Sequence, residues 1–163
     1  MKKQNRLHLL RDEQGASLVE LALLLPLFLL LTFGAVDIGR AFYLSIEVAG
    51  AAHAAAMYGA QNPTDTTGMQ NAAVDDAQNV PNLSTSNVTV SYGCECATDT
   101  AGTTYSLSCA VPPTCTGNNE VDRVNVKVTA TYTTLFPWHW VGMGSIPSSF
   151  SLSSSASMRS AGS

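Results

Sequence analysis

One carboxylate lies where a carboxylate is costly. Glu20 is the only ionisable side chain in the 21 residues from Ala16 to Val36. An acidic residue costs about 2.5–3.5 kcal/mol at the centre of a membrane helix, and somewhat less near its end. A charge held there at such a cost usually marks a function. Four cysteines are the other reactive set: Cys94 and Cys96, then Cys109 and Cys115. Their spacing lacks the paired C-x2-C of zinc ribbons and fingers, so disulfides are expected and a metal is not. Three pairings are open, and a bridge from the first cysteine-bearing strand to Cys109 is geometrically natural if the two strands form a hairpin. His8, His53 and His139 stand alone. No Ser/His/Asp set, HExxH, phosphate loop or dinucleotide signature accompanies them. No active site and no cofactor are expected.

The element that positions Glu20 is the apolar run itself. At 1.5 Å per helical residue, Ala16 to Val36 reaches about 31 Å, enough to cross the hydrocarbon core of a bilayer. Lys2, Lys3, Arg6 and Arg11 precede it and only Arg40 follows closely, which places the N-terminus in the cytoplasm. All four cysteines then fall on the side where disulfides persist. The run is too long for the apolar core of a secretory signal peptide, and a small-x-small site at Ala52-His53-Ala54 lies well beyond it. Asp37 and Arg40 are three apart and can pair on one helix face at the membrane border.

Around Glu20 the residues read Gln14-Gly15-Ala16-Ser17-Leu18-Val19-Glu20-Leu21, after a short basic leader. This resembles a class-III-type prepilin signal. Leu23-Leu24-Leu25-Pro26-Leu27 and Phe33-Gly34-Ala35-Val36-Asp37-Ile38-Gly39-Arg40-Ala41-Phe42-Tyr43 extend the resemblance to the TadE-like family, minor pseudopilins of the tight-adherence (Tad, Flp-type) pilus machinery. A weaker echo reaches Ala60 and returns at Ser157-Met158-Arg159. The resemblance implies cleavage between Gly15 and Ala16 by a prepilin peptidase, with Glu20 as fifth residue of the mature chain. Two features depart from the pattern: Leu21 stands where such members often carry phenylalanine, and the family does not require the four cysteines. Physical chemistry supports the motif independently. A cut after Gly15 would free a cationic amine on Ala16, able to pair with Glu20 of a neighbouring subunit in a low-dielectric bundle.

Beyond the membrane the helical pattern continues to about Ala60, where Asn62-Pro63 supplies a stop. Small residues recur at four-residue spacing, Ala35 with Gly39, Gly50 with Ala54 and Ala55 with Gly59, and let backbones approach closely. A short helix is expected from about Gly68 to Asn79, capped by Thr66 or Thr67. The period then switches to two. Val88, Val90, Tyr92, Cys94 and Cys96 share one strand face, and Tyr105, Leu107, Cys109 and Val111 another. Val124 to Tyr132 forms the strongest strand and Phe150 to Met158 a fourth. Phe136, Trp138, Trp140 and Val141 cluster around Pro137 and His139, either at a membrane or subunit contact or as a cap on the sheet's core.

The fold class expected is α+β and pilin-like: a long N-terminal transmembrane helix, a short helix and a small antiparallel sheet. The expected segments are a cytoplasmic leader at 1–15, a transmembrane and extended helix at 16–60, and a periplasmic or extracellular domain at 61–163. Only 12% of the chain is charged, against about 25% in an ordinary soluble domain. The net charge is −4 with no basic footprint outside the leader, so a nucleic-acid partner is not expected. The reading that results is a non-enzymatic protein of the inner membrane. The partners implied by the resemblance are a prepilin peptidase, other pilins and pseudopilins, and a Tad-type inner-membrane assembly platform. The alternative is an unprocessed single-pass envelope protein whose disulfide-bonded domain binds a ligand or surface.

Overall fold

The computed structural model describes the backbone of residues 5–96, 105–106, 120–136 and 147–160, with side chains described except at 5–14 and 105–106. Its elements are helix α1 (Asn5–Gln61), helix α2 (Thr66–Asp76), a single 3-10 turn (Thr85–Asn87), and strands β1 (Val88–Cys96), β2 (Tyr105–Ser106), β3 (Glu120–Thr133) and β4 (Ser149–Arg159). The fold is α+β, as the sequence leads one to expect.

Helix α1 is 57 residues long and passes through Pro26 without interruption. It begins at Asn5, earlier than the apolar run alone implies, because Leu7, Leu9, Leu10, Arg11, Glu13 and Gln14 are strong helix formers. The chain divides into two compact units, Met1–Arg40 and Ala41–Ser163.

In the first unit the side chains from Gly15 onward are almost all exposed, among them Leu18, Leu21, Leu25, Phe28 and Leu31. A helix that is apolar all round and bare of protein contacts has the character of a membrane span. It is the one helix among the described residues long and apolar enough to cross a membrane.

In the second unit α1 buries one face. Leu44, Val48, Ala51, Ala52, Ala55 and Ala56 recur at helical spacing and join one core with Met69 and Ala73 of α2 and with Val124, Val126, Val128, Ala130 and Tyr132 of β3. Alternation in β3 is complete at its centre, where each inward residue packs on the helix and each outward one is polar. The sheet is antiparallel in the order β2-β1-β3-β4. Val88 lies opposite Val128, and Tyr132 opposite Phe150; the two rings stand 5.0 Å apart between centroids.

Small residues make the close helix packing possible. A Cβ added at Gly59 would lie 2.6 Å from Met69 Sδ and 2.8 Å from Val124 Cγ1. Gly59→Ala gains about 1 kcal/mol of helix propensity but overpacks a full core, at about 1–3 kcal/mol. The expected net result is a loss of about 1 kcal/mol, read as a lower thermal midpoint. Gly39→Ala, with nothing within 4 Å of the added carbon, is the control that should show no such loss.

Helix α2 starts two residues earlier than expected and ends at Asp76, before Asn79. Its cap is Asp65, not Thr66 or Thr67. The carboxylate accepts from the Gly68 N–H at 2.8 Å, and the Tyr58 hydroxyl donates to its other oxygen at 2.8 Å. These two bonds hold the Asp65 carboxyl below its ordinary value, the backbone bond contributing most. Aspartate outcompetes the neighbouring threonines because an ionised acceptor makes the stronger bond to the helix's open amides. Of the second expected strand only Tyr105 and Ser106 are seen; Leu107, Cys109 and Val111 lie outside the described residues, as do Cys115 and the cluster of Trp138, His139, Trp140 and Val141.

Candidate functional site

Gly15, Ala16, Val19, Glu20 and Leu23 line one open groove on α1. The helical period brings them together, since Ala16, Glu20 and Leu23 are spaced i, i+4 and i+7 and so share a face. The small side of this groove is its N-terminal end. Gly15 has nothing within 4 Å of where a Cβ would stand, apart from its own helix. Glu20 is exposed, and among the described residues it has no hydrogen-bond or ion-pair partner. The groove therefore presents a carboxylate with no described partner in an otherwise apolar surface. It can accept a cationic group from another chain, and nothing in it resembles catalytic machinery.

Asp37 is buried at 5% exposure, while Arg40 is exposed. They lie one turn apart on α1, close to where the apolar run ends.

The second charged cluster is in the sheet. Glu95 is only 2% exposed, and its two carboxylate oxygens are engaged by the guanidinium groups of Arg123 and Arg159. Arg123 also donates to Ser157 Oγ at 2.6 Å. The register explains the convergence. Gly93, Arg123 and Arg159 are aligned across three strands, and Glu95 is two residues along on the same face, the one turned away from α1. Burial pushes the Glu95 carboxyl up, but hydrogen bonds from Arg159 and Arg123 and their charges outweigh it, holding it below the ordinary value of 4.5. Nothing in simple alternation anticipates this cluster. The available signal was scarcity: only three basic residues follow Arg40, and two of them meet at Glu95.

Cys94 and Cys96 are on the core-facing side of β1, both buried, and neither is a free thiol. Cys109 and Cys115 lie outside the described residues. Among the described residues no group of three or more histidine, cysteine or acidic side chains is placed to hold a metal ion.

No curated protein and no solved structure matches the chain. A family model does match, over residues 15–57, and its description is TadE-like protein. The matched segment starts at the glycine of the groove, contains Glu20, and ends in the part of α1 that packs on the sheet; over residues 15–57 the chain is similar to TadE-like proteins.

Proposed function

We propose that this protein is a minor pseudopilin of a tight-adherence pilus, acting structurally and not as an enzyme. TadE-like proteins are associated with Tad pili, and the finer reading rests on the groove. The observation that carries it is Glu20, a carboxylate one helical turn into an apolar span, with no partner of its own chain among the described residues. In this reading the protein inserts in the inner membrane with its N-terminus in the cytoplasm. A prepilin peptidase cuts between Gly15 and Ala16. The freed Ala16 amine then pairs with Glu20 of a neighbouring pilin or pseudopilin on the Tad assembly platform. Only a subunit presenting a matching charge neutralises the carboxylate, so Glu20 selects partners as well as binding them. Asp37 and Arg40 hold the helix at the membrane border, where the chain leaves the bilayer for the periplasm. Cys94 and Cys96 join Cys109 and Cys115 in two disulfides that tie β1 to the segment after it.

The test is removal of the gene from a cell that makes the pilus. Pili and surface attachment should be lost and should return with the full chain supplied in trans. Normal piliation without the gene would overturn the assignment.

A further inference from the structure

Strand β4 closes one side of the sheet and has β3 on its inner edge. It runs eleven residues, Ser149–Arg159, in unbroken register against β3 with no bulge. It contains no proline and, before Arg159, no charged side chain. These are the devices that ordinarily blunt a sheet edge, whose open N–H and C=O groups otherwise recruit another strand. Among the described residues no segment pairs with the outer edge of β4. At the opposite side of the sheet the described part of β2 is Tyr105–Ser106. We propose that β4 pairs antiparallel with β4 of a second copy of this chain, centred on Ser154, so that two four-stranded sheets become one.

The side-chain pattern of the strand selects this occupant. Leu152, Ser154, Ala156 and Met158 are half-buried on the core side, and Ser151, Ser153, Ser155 and Ser157 face solvent. Self-pairing about Ser154 places Phe150 opposite Met158, Leu152 opposite Ala156, and Ser154 opposite itself. On the outer side Ser151 meets Ser157 and Ser153 meets Ser155. Every inward residue thus faces an inward residue, whereas a slip of one position would turn apolar side chains against serines. Arg159 falls opposite Ser149, so no like charges meet across the join. All eleven residues engage, and the two-fold relation closes the pair without leaving a further edge of the same kind. The pairing is independent of cleavage, of Glu20 and of the pilus reading.

Two double variants at solvent-facing positions test it. In S153E/S155E, glutamates oppose glutamates twice across the join. In S153K/S155E, lysine opposes glutamate twice. Within one chain position 155 lies opposite Lys127 and position 153 opposite Thr129, so each variant is compatible with its own sheet. Two differently tagged copies of the full chain are co-expressed, extracted from the membrane and purified through one tag. Wild type should carry its partner copy. S153E/S155E should carry about tenfold less, the direction expected for like charges directly opposed, and S153K/S155E at least as much as wild type. Equal recovery with the two variants, loss with both, or a wild-type chain recovered without its second copy would each overturn the proposal.

Discussion

Glu20→Leu should leave the protein in the membrane and cut after Gly15, yet absent from assembled pili. Leucine removes the costly charge from the span, so insertion becomes easier by about 2 kcal/mol or more. Cleavage acts at the peptide after Gly15, more than a helical turn from position 20, and the substitution leaves that peptide and its immediate neighbours unchanged. Assembly is different. With leucine at position 20, the amine of a neighbouring subunit enters a low-dielectric bundle with no counter-charge, and an unpaired buried ion costs several kcal/mol. Each 1.4 kcal/mol is a factor of ten in an equilibrium, so incorporation should fall by a hundredfold or more. Immunoblots of sheared pili against membranes, run with Glu20→Gln alongside, measure it. Glutamine fills the same space without the charge and should fail nearly as badly. Normal incorporation of either variant would remove Glu20 from the role proposed for it.

The second large effect belongs to the sheet. Glu95→Ala strips the counter-ion from Arg123, which is largely buried, and from Arg159, which is partly exposed. Removing one partner of a buried ion pair typically costs about 3–5 kcal/mol. For a unit of this size that corresponds to a fall of about 10 °C or more in thermal midpoint. The acid limb of stability carries the same signature. Because the native Glu95 carboxyl sits below its ordinary value of 4.5, its contribution is complete above that value and is lost as pH falls through the lowered native one. Asp65, also lowered by its bonds to Gly68 and Tyr58, adds to the loss in the same direction. Thermal melts from pH 7 downward should therefore show wild type losing stability below about pH 4.5, with a shallower decline in Glu95→Ala. Parallel curves for the two would show that the carboxylate is not held by the arginines.

The membrane helix and the strongest strand were legible because each rests on one dominant, local pattern. Glu20 stood out because a single charge in an apolar run is costly, and helical periodicity alone puts it on one face with Ala16. Val124 to Tyr132 alternated cleanly because α1 covers one side of β3 and solvent the other. What escaped notice depends on register. Gly93, Arg123 and Arg159 are distant in sequence, and only the pairing of three strands brings the two arginines to Glu95. Glu95 itself sits between two cysteines that alternation assigns to the core, so its own burial on the reverse face has no periodic signal. The start of α2 was missed for a different reason. Asp65 competed with two threonines as cap, and its second bond, from the Tyr58 hydroxyl, comes from another helix. Residues 5–14 carry no apolar run to mark a helix, although residue by residue they favour one.

The most direct test of the central claim is the intact mass and N-terminal sequence of the protein extracted from membranes, with and without the prepilin peptidase of the host. A chain that begins at Ala16 only when the peptidase is present is the expected result. A chain that keeps residues 1–15 in the presence of an active peptidase would contradict it, leaving Glu20 without its amine and the protein as an unprocessed membrane anchor.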